Sequence, residues 1–182
     1  IESYQAMPTV SDAPRRTQDR RQPTAAPMGP DHPWQQFQNE PDTDFSLVHN
    51  ARWAEELVAR WKQQTIEHPA DLLLDIAGQA VAADRKIVEV ADPSRPGVVI
   101  GRYRQANEQD IERAVACAKA DEDGWRTMDT AQRAAILRGV AQQLRDARGE
   151  LMAVALADGG KTLTESDPEV SEAVDFVEFY SR

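Results

Sequence analysis

Cysteine is nearly absent: the 182 residues hold one, Cys117. A single thiol makes no internal disulfide and no multi-cysteine zinc site. Histidine is as scarce. His32, His49 and His68 are scattered, and none stands four residues from a second ligand, so no metal centre is read. Apolar runs are only a few residues long, far short of the ~20 needed to cross a bilayer. Positive charge is short too: 21 Lys and Arg face 31 Asp and Glu, for a formal net charge of −10. A surface that acidic repels phosphate backbones, which argues against nucleic acid as a partner. No charged stretch followed by an apolar one opens the chain, so no secretory signal is read. The cysteine usage suits a reducing, cytoplasmic setting. A start at Ile1 suggests a piece cut from something longer.

What is present divides the chain. Residues 1–33 hold six of the eleven prolines, four arginines and four acids, and few large apolar residues. Such a segment buries too little surface to offset its ordering entropy, so it reads as a flexible, proline-rich linker. Its pairs Arg15-Arg16 and Arg20-Arg21 admit a second reading as a basic binding patch, which the interleaved acids weaken. Residues 34–105 read as a leading helix and a small β unit. Trp53, Leu57, Val58 and Trp61 recur at helical spacing over 50–64, with Asn50 as N-cap. The runs Leu72–Leu74 with Ile76, Ile87–Val90 and Val98–Ile100 are broken by Gly78, Pro93, Pro96, Gly97 and Gly101. Short runs so bounded predict an antiparallel unit. Residues 106–182 read as helices: one capped by Asn107, one by Asp129 or Thr130, one stopped by Gly159-Gly160, and one opened by Asp167-Pro168. Each carries an apolar stripe that needs a partner layer, expected to be a sheet supplied by further polypeptide.

Chemistry is thin in these residues. Cys117 sits in an alanine-rich helical pattern, where a thiol acts as a small apolar filler more often than as a nucleophile. Gly159-Gly160-Lys161-Thr162 has the look of a phosphate loop, but Ala155 stands where that motif needs glycine, and a helix precedes it. A helix C-cap fits better. Glu172, Phe176 and Phe179 fall at i, i+4 and i+7 on one face of the last helix. A carboxylate there either meets a cationic ligand group or lies at a solvated edge with the rings packed beneath it.

Read together, residues 37–182 resemble the N-terminal part of an aldehyde dehydrogenase. The resemblance rests on Ile111-Glu112-Arg113-Ala114-Val115, Trp125, Arg133, Leu137, Leu151, Gly160-Lys161-Thr162, Glu169-Val170 and Phe179-Tyr180, in that order. Phe37-Gln38-Asn39-Glu40-Pro41 and Glu172-Ala173-Val174-Asp175-Phe176 are similar to segments of the Δ1-pyrroline-5-carboxylate dehydrogenases. Asp158, Ala80 and Asp92 depart from the commonest residues of the pattern. The resemblance implies an α/β fold, here incomplete: a small antiparallel β unit and the outer helices of a Rossmann-like NAD-binding domain. It implies NAD-dependent oxidation of L-glutamate γ-semialdehyde to L-glutamate in proline catabolism. A cysteine nucleophile, a glutamate base and the NAD site would all lie beyond Arg182, so no catalytic, cofactor-binding or metal residue is assigned here. The one site residue it implies is Glu172, facing the aldehyde access tunnel, where its carboxylate would meet the substrate ammonium group. The proline-rich segment would suit a linker from a proline dehydrogenase domain, and FAD would enter only with that domain. The expected partners are a small aldehyde and, in the parent, further copies of itself. Two other readings stay open: an aldehyde dehydrogenase of different specificity, and a non-catalytic helical interaction module.

Overall fold

The computed structural model describes residues 16–24 and 37–181, with residues 65 and 66 described by backbone alone. Helix α1 (Val48–Glu67) leads into five short strands: β1 (Ala70–Leu72), β2 (Leu74–Ile76), β3 (Gln79–Val81), β4 (Ile87–Ala91) and β5 (Val99–Arg104). Helices α2 (Glu108–Ala120), α3 (Thr130–Asp146), α4 (Arg148–Gly159) and α5 (Leu163–Tyr180) follow, with a 3-10 turn at Trp125–Thr127.

The β unit is not purely antiparallel, as the short runs suggested. One sheet has the order β1-β5-β4; β4 and β5 form an antiparallel pair, but β1 lies parallel to β5 on its other side. The second is the hairpin β2-β3. The run Leu72–Leu74 is therefore cut at Leu73 and shared between two sheets. Gly101 permits the parallel contact. It pairs with Ala70, and a Cβ on it would stand 3.2 Å from the Ala70 carbonyl oxygen. Between β4 and β5, the Asp92 carboxylate accepts from the Ser94 and Arg95 amides, and Gly97 takes φ +85°. That closes the turn written by the Asp-Pro-Ser-Arg-Pro-Gly run.

Local capping chemistry sets three of the helix boundaries as expected. Asn107 with Asp110 caps α2, Asp129 with Gln132 caps α3, and Gly160 ends α4 in the left-handed conformation at φ +67°. Two expectations are corrected. Helix α1 starts from Leu47; Asn50 lies one turn inside it, where its side chain bonds the Asp44 carbonyl and Gln18. Helix α5 starts at Leu163 from a Thr162–Glu165 capping box, so Asp167 and Pro168 sit inside it. The earlier box wins because it satisfies two amide donors reciprocally; Pro168, at the sixth helical position, forfeits the one amide bond that would run to the Thr164 carbonyl.

Helices α3, α4 and α5 pack against one another, and α1 rests on α4 and β5. Their buried apolar residues are small or slender: Ala141, Met152, Ala153, Ala157, Val170 and Val174, with Ala54 and Leu57 from α1. The larger apolar residues point outward. Ile111 and Val115 on α2, Ile136 and Val140 on α3, Leu151 and Val154 on α4, and Phe176 and Phe179 on α5 are all exposed. Residues 16–24 fall in the stretch read as a flexible linker, yet they are seated on the body of the protein. Gln18 donates to the Asp42 carbonyl and accepts from the Asp44 amide, and the Arg20 amide donates to Asn50. The seat consists of polar side-chain bonds, which an argument from apolar content misses. The rest of residues 1–33 lies outside the described residues.

Candidate functional site

The site begins with a carboxylate cluster that fixes α5. Glu40 follows Asn39 in an extended segment, and both reach Asp175 of α5: Asn39 Nδ2 donates to one carboxylate oxygen at 2.7 Å and the Glu40 amide to the other at 2.6 Å. The Glu40 side chain turns inward. It accepts from Arg145 Nε at 2.9 Å and from Arg148 at 3.3 Å. Arg145 also donates to Glu178 at 2.9 Å. Three residues on, Thr43 donates its amide and its hydroxyl to the two oxygens of Asp167, at 2.5 and 2.6 Å. Asp167 accepts from Arg148 as well, at 2.8 Å, beside Ser171 at 3.1 Å. All of these charged side chains except Asp175 are buried. A buried ion pair loses hydration on both sides, and it persists only where geometry and extra hydrogen bonds offset that loss. Here Glu40, Asp167 and Asp175 each have more than one donor.

The two segments that carry the narrower resemblance, Asn39-Glu40 and Asp175, thus touch directly. Their pairing sets the rotation of α5 and hence the side that Glu172 faces. Phe37, at the head of the same segment, meets Phe179 edge-on with centroids 5.8 Å apart. Tyr180 stacks on Phe176 at 6.4 Å. Glu172, Phe176 and Phe179 come together on one exposed face, as their spacing predicts. Glu172 makes no hydrogen bond or ion pair with the described residues, so its carboxylate is free to meet a ligand from that face.

The other sequence candidates take structural roles. Cys117 is half-buried on α2 and has no disulfide partner. Gly160 is the C-cap of α4, and Lys161 pairs with Glu169 of α5. The described residues therefore form no glycine-rich cradle for a dinucleotide pyrophosphate. Sequence reasoning missed Arg145, Arg148, Asp167 and Glu178 as a set. The signal available was a charge breaking an apolar stripe, at Arg145 on α3 and Glu178 on α5.

Away from this cluster, Asp110 has its carboxyl held down to about 2, chiefly by the Arg85 side chain and by the Asn107 amide it caps. Burial acts to raise Asp92, but the hydrogen bonds from Arg95 and Ser94 outweigh it, and its pKa lies below the ordinary value. Both groups anchor the β unit and α2 and lie outside the Glu172 face.

Comparison with known proteins agrees with this geometry. The aldehyde dehydrogenase family pattern matches residues 80–182, more than half of the chain. A 1-pyrroline-5-carboxylate dehydrogenase of Geobacillus sp. (strain WCH70) is 34% identical over 148 residues, covering 81% of this chain and 28% of that protein. A solved 1-pyrroline-5-carboxylate dehydrogenase from Thermus with bound NAD superimposes with a TM-score of 0.73 at 28% identity, over 80% of this chain and 28% of the other. Proline utilization A from Bdellovibrio bacteriovorus superimposes with a TM-score of 0.75 at 26% identity, over 84% of this chain and 15% of that one. The chain spans little more than a quarter of the length of the relatives it matches. With the order of helices and strands and the Asn39–Glu40–Asp175 clamp in place, the chain belongs to the aldehyde dehydrogenase family and has the fold of that family's N-terminal part.

Proposed function

We propose that this chain is the leading part of an NAD-dependent dehydrogenase that oxidises L-glutamate γ-semialdehyde, from Δ1-pyrroline-5-carboxylate, to L-glutamate in proline catabolism. The observation that carries the reading is the clamp of Asn39 and Glu40 on Asp175, which presents the uncommitted Glu172 carboxylate beside Phe176 and Phe179. The semialdehyde carries an ammonium group. Glu172 gives it a charge partner, and the neighbouring rings lower the local dielectric as the substrate covers them. In this role Glu172 orients the substrate and takes no part in bond making. The outward apolar residues of α2 to α5 would seat the central sheet of the dinucleotide-binding domain.

The described residues do not fit NAD, so no step is derived through it here. FAD belongs to the reading only if a proline dehydrogenase domain precedes the chain. A cytoplasmic enzyme that forms homo-oligomers completes the proposal; no helix among the described residues is long and apolar enough to cross a membrane. The 182 residues alone are expected to give no NADH from the semialdehyde, and turnover by them would remove the claim that nucleophile and base lie elsewhere. The specificity claim is tested by Glu172→Ala in the full-length parent. A fall in kcat/KM for L-glutamate γ-semialdehyde of about 5- to 100-fold is expected for loss of one charge-assisted contact. An unchanged value would favour an aldehyde dehydrogenase of other specificity.

A further inference from the structure

The seated segment 16–24 reaches three helices, although it lies before residues 80–182 that carry the family pattern. The Arg20 amide donates to Asn50 Oδ1, inside α1, at 2.9 Å. The Thr24 carbonyl accepts from Gln142 of α3 at 3.1 Å. The third tie runs through side chains. Arg20 Nε donates to the Thr43 hydroxyl at 2.9 Å, and another arm of the same guanidinium donates to the Pro41 carbonyl. The Thr43 hydroxyl in turn lies 2.6 Å from one oxygen of Asp167 on α5, while the Thr43 amide holds the other. A guanidinium has donors only, whereas a hydroxyl has one proton and two lone pairs. Thr43 therefore accepts from Arg20 and keeps its single proton for Asp167. From Arg20 through Thr43 to Asp167 the donors all point one way, and each bond polarises the next.

We infer that Arg20 is a positioning residue: acting through the Thr43 hydroxyl, it ties segment 16–24 to α5 and fixes the side of that helix on which Glu172 stands. The tie to α5 follows from the contacts alone, while its bearing on substrate rests on the role proposed for Glu172. Two observations separate this contact from a casual surface bond. The first is that Arg20 is half-buried. Burial, and after it the Arg148 charge, hold its pKa below the ordinary guanidinium value, against the pull of Asp167, Glu40 and Asp42. A cation gives up hydration in this way only where fixed acceptors and carboxylates replace the water. The second is that Thr43 is itself buried, with its amide and its hydroxyl both given to Asp167. Asp167 also accepts from Arg148 of α4, so the hydroxyl bond stands among the contacts that lock α5. Glu172 stands about 140° round the helix axis from Asp167. With Asp167 held inward, Glu172 faces outward, and an α5 freed at Asp167 loses that setting.

Hydrogen exchange of the full-length parent, read by mass spectrometry over α5 and α2, tests the tie. Arg20→Met keeps the aliphatic stem and removes every donor. It is expected to speed exchange of the α5 amides about tenfold, as for loss of a charge-assisted contact, and to leave α2, which packs on β2, unchanged. A residue that only adds to overall stability would speed both alike. In Thr43→Val, which lacks the hydroxyl, adding Arg20→Met is expected to speed α5 no further. If Arg20→Met alters the far-UV spectrum, Arg20→Lys decides instead; it keeps the charge but not the fork, and about threefold faster exchange in α5 is expected. The same variant is expected to raise KM for L-glutamate γ-semialdehyde about threefold with kcat within about twofold, and to add nothing once Glu172→Ala is present. Exchange in α5 unchanged in the deciding variant, equal acceleration in α2, or additivity with Thr43→Val would overturn the inference. So would an unchanged KM where Glu172→Ala alone raises it. If Glu172→Ala is itself without effect, the substrate reading fails, and the exchange result alone decides the tie.

Discussion

The inner and outer sides of α3, α4 and α5 are built in opposite senses. Inward lie alanines, Met152, Val170 and Val174, and a set of paired charges: Glu40, Arg145, Arg148, Asp167 and Glu178 are buried. Outward lie Ile136, Val140, Leu151, Val154 and Phe176, each at least 39% exposed. An isolated helical layer stabilised by apolar burial would show the reverse. The difference teaches that the inner side is complete in itself, with every carboxylate answered, while the outer side is arranged for a further layer. It also separates two jobs along α5. Its buried residues Asp167, Ser171 and Glu178 hold the helix to the segment around Glu40, and that hold fixes the exposed side where Glu172 stands.

Substitutions on the two sides should therefore have unequal effects. Arg145→Ala leaves Glu40 and Glu178 buried without their shared partner, and a loss of about 3–5 kcal/mol is expected in urea unfolding. That is a large share of the stability of an ordinary domain. Asp175→Ala removes the two bonds that tie Asn39 and the Glu40 amide to α5, for a loss of about 1–3 kcal/mol by the same measurement. Ile136→Ser, on the outer side, is expected to change the stability of the 182 residues by less than about 0.5 kcal/mol. A loss as large as that of Asp175→Ala would mean that the outer side is already covered.

Acid offers a check on a third region, the Arg85–Asp110 pair. The folded pKa of Asp110 lies below its unfolded value, so the unfolded chain binds the proton first as pH falls. The stability the pair contributes is whole above the ordinary carboxylate value of 3.8 and is lost as pH descends through about 2. Arg85→Gln should flatten the dependence of unfolding on pH between those limits, leaving the slope due to other carboxylates.

What was legible in the sequence was local. Asn107, Asp129 and Gly160 cap helices through partners within a few residues, so spacing alone reveals them. The shared face of Glu172, Phe176 and Phe179 follows from helical periodicity in the same way. Asp167 looked like a local cap because Pro168 follows it, but its partner Thr43 is 124 residues away. Asn50 was likewise claimed by Gln18, 32 residues upstream, and by the Asp44 carbonyl. Strand β1 joins β5 in parallel through a contact that depends on Gly101, which the sequence shows only as a turn signal.

A double-mutant cycle on Glu40 and Arg145 tests the charged interior most directly, using Glu40→Ala, Arg145→Ala and the pair in urea unfolding. Because both side chains are buried and 2.9 Å apart, a coupling energy of at least about 1.5 kcal/mol is expected. Additive effects, with coupling within about 0.3 kcal/mol of zero, would contradict an α5 held in place by these charges.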